Sequence, residues 1–417
     1  MHKPYFHNKK IALSVTSAFL IALGISFQAY AHENLQPCRI LIAKQLFDGI
    51  NYPQANMAVL IQGDKVQQIG TPESLSGLCR KKINLGDATL MPGFIESHAH
   101  VTFQNVRKDK VLEHGITTVQ DTGGPLQPIE GGNGKLRLLS VGPIIQAVGG
   151  YPLNIFTPED TLGGLDKIGI TVSTIEEAQK VVQQLVDGGA TAVKIALEPG
   201  GEIGAPWMQP HGDHPIPPAP WPILSDDIVQ AIVTKAHILG KRVIAHVGEQ
   251  IGFDRAVAAK VDELAHTPCA TISDASLQAA VNNGITFVTT LDTLASCGPN
   301  GLHANAFSLG LKGANFIYGS EVAHDNVPWG INGEEMRTMM HLTHGADAIN
   351  FDDVVNVFKS ATSKAGQRLG VHPLLGTLVP GAPADIIAVR GNPFERFKIL
   401  EYPDLVMSGG RLVVNKF

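Results

Sequence analysis

Two textures alternate through the middle of the chain. Short apolar runs rich in Val, Ile and Ala are separated by longer stretches in which apolar residues recur every three to four positions. The first texture reads as buried strands and the second as amphipathic helices. Residues 225–240 show the helical pattern in full: Ser225 in the N-cap position, Asp226 and Asp227 in the first turn, Ile228, Val229, Ile232 and Val233 on one face, and Gly240 at the close. The spacing predicts strands over 94–100, 116–121, 138–147, 191–197, 242–247, 262–266, 285–291 and 316–319. Strands joined through helices run parallel, and eight such units predict a (β/α)8 TIM-type barrel whose site lies at the C-terminal ends of its strands. The flanks differ. Residues 39–43 and 58–70, the latter turning at Gly63-Asp64, and residues 384–389 and 405–414 read as short strands with tight turns. Both ends together are expected to form a small β-sandwich domain over 32–91 and 373–417, with the barrel over 92–372.

Composition sharpens this picture in a few places. Of 417 residues 44% are hydrophobic and 17% charged, enough for a large buried core. A formal net charge of −6 without a Lys/Arg run argues against nucleic acid as a partner. Residues 1–31 read as a secretory signal: Lys3, Lys9 and Lys10, then an uncharged apolar run from Ile11 to Phe27, then Ala29-Tyr30-Ala31. Cleavage is expected after Ala31, which places the mature chain outside the cell or in the periplasm, with no membrane span left after cleavage. An uncleaved anchor is the alternative, because the apolar run approaches spanning length. Four cysteines are too few for a disulfide scaffold and too dispersed for a zinc knuckle. Cys269 and Cys297 fall on adjacent loops at one barrel rim and form one candidate disulfide, and Cys38 and Cys79, both in the β domain, form the other.

The candidate chemistry gathers at the predicted strand ends. In Leu90-Met-Pro-Gly-Phe-Ile-Glu-Ser-His-Ala-His-Val101 the period of two puts Glu96, His98 and His100 on one face. Two imidazoles side by side chelate a metal or simply hydrate at a turn. Strand five ends in His246, strand six in His266 and strand eight in Glu321. Lys194 interrupts the apolar fourth strand, where it either pairs with an acid as a structural ion pair or, with burial leaving a neutral amine, adds carbon dioxide to become a carbamate that can bridge two metal ions. His237 and His341 lie in helical stretches and are set aside.

With these residues in place, the sequence resembles the amidohydrolase superfamily, in its imidazolonepropionase-like and prolidase-like branch. Met91-Pro-Gly-Phe-Ile-Glu-Ser-His-Ala-His100, Gly115-Ile-Thr-Thr-Val-Gln-Asp-Thr-Gly-Gly124, Ala192-Val-Lys-Ile195 and Gly376-Thr-Leu-Val-Pro-Gly-Ala-Pro-Ala-Asp-Ile386 carry the likeness. The resemblance implies a binuclear centre: His98, His100 and Glu321 on one metal, His246 and His266 on the other, and carboxylated Lys194 across both. Zinc suits these donors first, with nickel, manganese or iron as alternatives. It implies hydrolysis of an amide-type C–N bond in a dipeptide or other small amide, with Glu321 as acid/base. A cyclic amidase, lactonase or deaminase, or a catalytically silent metal or ligand binder, are the alternatives. The sequence departs from the family pattern at Glu96 and Glu321, where Asp is usual, and at Gln120, where Arg is common. Glu96 is expected to orient the imidazoles from behind.

The Pro- and Gly-rich connection over 198–225, with Trp207, His211, His214 and Trp221, is expected to overhang the site. Tyr151 in Gly149-Gly-Tyr-Pro152 supplies a second wall, and His324 and Asp325 the rim. The expected partner is a small-molecule or dipeptide substrate, with a homo-oligomer as a further expectation.

Overall fold

The computed structural model describes residues 37–211, 214–297, 301–322, 324, 328–342 and 349–417. Residues 1–31, expected to be a secretory signal, and Asp325 lie outside the described residues. No helix among those described is long and apolar enough to cross a membrane.

Both chain ends build one eight-stranded sheet. Its order runs Arg411–Asn415, Leu405–Ser408, Ile386–Arg390, Ala88–Pro92, Cys38–Leu46, Gln54–Gln62 and Lys65–Gly70, with Lys82–Asn84 also beside Cys38–Leu46. A bridge between Lys65 and Pro383 ties the last strand of this path to the segment leading into Ile386–Arg390. The fold encloses an apolar core that includes Leu41, Val59, Leu90, Ile386 and Leu405. The Cys38–Cys79 disulfide closes one side of this β-rich domain.

Between these ends the parallel barrel strands follow one another in chain order. Strand one is Phe94–Ala99, two Ile116–Asp121, four Val193–Ala196, five Val243–His246, six Glu263–Leu264, seven Thr286–Val288 and eight Asn315–Ile317. Strand three, expected as one piece over 138–147, is instead two: Lys135–Ser140 pairs with strand two, and Ile144–Gln146 pairs with strand four. Gly142 at φ +76° and Pro143, which has no N–H to give a ladder, make the break. Strand one does not ladder directly onto strand eight. There the carboxylate of Glu96 accepts from the N–H of Ser320 at 3.0 Å and from its hydroxyl at 2.8 Å.

The predicted helix is present as Asp226–Ile238, with Ser225 in the N-cap position but making no side-chain capping hydrogen bond, and with Gly240 in the left-handed region. Its buried face, Ile228, Val229, Ile232, Val233 and Ala236, packs in one core with Val193, Ile195, Val243 and Ala245. Because alternate strand residues face that outer core, Lys194 and His246 are turned to the barrel interior.

Candidate active site

Four imidazoles converge at the C-terminal ends of the strands. The ring centroids of His98 and His100 lie 5.1 Å apart, those of His98 and His266 4.5 Å, and those of His246 and His266 4.9 Å. Glu321 brings Oε1 to 3.4 Å from His100 Nε2, and ligand atoms of His98, His100 and Glu321 all lie within 4.8 Å of one another. Burial, reinforced by the Lys194 charge, holds the His100 and His246 imidazoles down at about 3, and the same causes lower His98 and His266. All four are therefore neutral, the form that ligates metal.

Two threonines fix ring orientation. Thr122 Oγ1 stands 3.1 Å from His98 Nδ1, and Thr290 Oγ1 3.0 Å from His266 Nδ1. Thr290 takes φ +46°, costly for a β-branched residue, and Glu321 takes φ +52°. Both strained positions follow strands seven and eight. Glu96 meets His98 only at its backbone N–H, at 3.0 Å, and otherwise holds Ser320. The expected orientation of imidazoles by Glu96 is thus corrected: its carboxylate joins the strands that carry them. Burial pushes its carboxyl up to about 8, against the pull of these donors. Gln120 is buried, and neither amide atom finds a hydrogen-bond partner among the described residues.

Lys194 is 1% exposed, and its Nζ has no hydrogen-bond partner among the described residues. Desolvation lowers the amine to about 7, although Glu321 and Glu263 pull it upward. Sequence reasoning missed Glu198, Glu202 and Asp121. Glu198 Oε2 lies 3.3 Å from His246 Nε2, and its Oε1 accepts from the Gly200 N–H at 2.7 Å. Glu202 hydrogen-bonds Glu198 and accepts the Trp207 indole N–H at 2.9 Å. Burial raises Glu198 to about 7 and Glu202 to about 8. A signal for Glu198 was available, since it stands four residues after Lys194 and so on the same strand face. Gly248 is required here, because a Cβ would overlap the Glu198 carboxylate and the Trp207 ring. Asp121, at the end of strand two, accepts from the hydroxyl and N–H of Thr102 and clamps the turn after His100.

Above these groups opens a cavity of about 350 Å³. Tyr151, Trp207, His211 and His324 line it, joined by Phe103 and Phe156. Tyr151 lies against His246 with centroids 4.7 Å apart and stacks on Trp221 at 6.4 Å, so the two connections expected as walls meet over the site. The Cys269–Cys297 disulfide joins the loops after strands six and seven.

Imidazoles, a buried amine and an acid set at the C-terminal ends of parallel barrel strands define a hydrolase of the metal-dependent TIM-barrel class. The sequence profile of the amidohydrolase family matches residues 89–413, and the chain belongs to that family, hydrolases of carbon–nitrogen bonds that are typically metal-dependent. No curated protein matches the chain significantly. Solved structures share its fold. One is a Xaa-Pro dipeptidase with bound methionine in its active site, 21% identical, covering 90% of this chain and 99% of that one at a TM-score of 0.67. Another is the A. niger ochratoxinase, 19% identical, covering 92% and 96% at 0.69. A third is a molinate hydrolase, 14% identical, covering 91% and 95% at 0.69.

The residues present suit metal. Lys194 Nζ and His246 Nε2 are buried without a hydrogen bond of good geometry among the described residues, the carboxylate oxygen nearest His246 Nε2 being Glu198 Oε2 at 3.3 Å. Such groups each cost on the order of 1–3 kcal/mol when left unmatched. Their convergence on one interior is the arrangement that ligation would relieve.

Proposed function

We propose that this protein is an exported hydrolase of small amides that works with two divalent metal ions, zinc first. The observation that carries this reading is the unpartnered Lys194 amine among four neutral imidazoles and Glu321. His98, His100 and Glu321 would hold one ion, His246 and His266 the other, and Lys194, as its carbamate, would bridge them. Ions bound in such a site supply an acidified water and a polarised carbonyl. The chain's own residues do the rest. Glu321 takes the proton of the attacking water and delivers it to the leaving amine nitrogen as the C–N bond breaks. Thr122 and Thr290 keep His98 and His266 aimed, and the Tyr151 and Trp207 walls keep bulk water out. The two disulfides support an oxidising, exported location.

Elemental analysis of the mature chain tests the reading together with a screen of small amides and dipeptides. About two divalent ions per chain are expected, with C–N hydrolysis, and Lys194→Ala is expected to lose most of the metal. A folded, metal-free protein whose Lys194 is unmodified by mass spectrometry overturns it.

A further inference from the structure

Charge around the cavity is strongly one-sided. Among the described residues, the loops that follow the barrel strands at the catalytic end are 100–106, 122–129, 147–174, 197–211, 214–225, 247–249, 265–273, 289–297, 318–322, 324 and 328–332. They contain a single Lys or Arg, Lys167. Lys167 is engaged with Asp160 at 3.8 Å. Beyond the first loop, Arg107, Lys108 and Lys110 pair at the surface with Asp109, Glu130 and Glu113. Acids, by contrast, recur on the same loops: Glu198 and Glu202 after strand four, Asp292 after strand seven and Glu321 after strand eight. Lys194 lies below, within the barrel strand, and is committed to the centre itself.

The wall chemistry agrees with this asymmetry. Phe103, Tyr151, Phe156 and Trp207 form an aromatic surface, completed by Ile144 and Leu294. A carboxylate brought against such a wall loses its hydration without a guanidinium or ammonium to replace it. An uncharged ring gains contact area there, and an amine gains attraction to the ring faces.

We propose that the cavity selects amides carrying no free carboxylate, neutral or cationic, with an aromatic or bulky apolar group against the Tyr151–Trp207 wall. This rests on the amide-hydrolase reading above and narrows it: a small carboxylate-free amide fits, and a dipeptide with its free C-terminus does not.

The test uses matched pairs on the metal-loaded mature chain: Phe-Pro against its C-terminal carboxamide, and N-benzoylglycine against N-(2-aminoethyl)benzamide. The carboxylate-free member is expected to have the higher kcat/KM, by about tenfold or more. Gln104→Arg, which places a cation on the exposed rim of the cavity, is expected to shift preference toward the carboxylate members. Equal or better use of the carboxylate members by the unsubstituted chain overturns the proposal. Calorimetric binding of the same pairs reads the preference without turnover. Absence of all amide hydrolysis therefore counts against the amidase reading, while tighter binding of the carboxylate members counts against charge selection.

Discussion

Glu96 on the first barrel strand and Ser320 beyond the eighth are bound to each other by three contacts. The Ser320 N–H donates to both carboxylate oxygens at 3.0 Å, and its hydroxyl donates to Oε2 at 2.8 Å. This joint stands where the two strands have no ladder of their own, and the next residue is Glu321. Glu96→Ala removes the acceptor altogether and leaves the buried N–H groups of His98 and Ser320 without it. A loss of about 1–3 kcal/mol in urea denaturation is expected, along with a fall in kcat as Glu321 loses its anchor. Unchanged stability and activity would show that the seam is held by something else.

Glu202 links the lid to the centre, because it holds the Trp207 indole on one side and Glu198 on the other. Glutamine reproduces both contacts, accepting from the indole and donating to Glu198, so Glu202→Gln is expected to keep the lid closed. Glu202→Ala is expected to release it, seen as a red shift in tryptophan emission. The pH dependence has a definite sign. The folded-state carboxyl lies at about 8, above its ordinary 4.5. Between these values the folded chain holds a proton that the unfolded chain gives up, so this group's contribution is full at low pH and is lost as pH rises toward 8. Denaturation at intervals from about pH 5 to about pH 8 should therefore show the wild type losing stability relative to Glu202→Gln. A constant difference would mean that the group titrates normally.

Much of this site was legible before any coordinates, because barrel strands convert sequence spacing into geometry. An alternating strand puts His98 and His100 side by side, and parallel strands bring His246 and His266 together at the same end, with Lys194 one inward-facing position lower, in register with Ile244. Features that depend on loops were harder to read. Glu202 reaches the site only because the Pro-rich connection folds back to bring Trp207 against His246, and no periodicity encodes that return. The break in strand three had a local signal in Gly142-Pro143, which the continuous apolar run masked. Glu96 illustrates a further limit: its face was readable, whereas its partner, 224 positions away, was not.

The Cys269–Cys297 disulfide spans 28 residues and pins two loops at the catalytic rim. Closing a loop of that length restricts the unfolded chain by roughly 3–4 kcal/mol. Cys269→Ser with Cys297→Ser is expected to lower stability by an amount of that order and to raise KM more than it lowers kcat, since Leu294 of the cavity wall sits on the tethered loop. Non-reducing peptide mapping of the unsubstituted protein should recover this pair and Cys38–Cys79. Four unpaired thiols would contradict both bridges.

Glu321 stands where the family usually has the shorter acid, and its backbone lies in the left-handed region at φ +52°. That conformation redirects the Cα–Cβ bond, and the added methylene lets the carboxylate still come within 3.4 Å of His100. Aspartate tolerates positive φ better than glutamate, so Glu321→Asp is expected to fold as well as the wild type. It would withdraw the carboxylate by roughly an ångström, a displacement that can lower kcat on the order of a hundredfold. Glu321→Gln keeps the reach but removes the proton carrier, and a fall in kcat of about 10²–10⁴-fold is expected with much of the metal retained. The pair separates position from proton transfer. If Glu321→Asp is fully active, the longer side chain compensates for nothing; if Glu321→Gln is fully active, the proton travels through another group, and Asp325, four residues on, becomes the residue to substitute next.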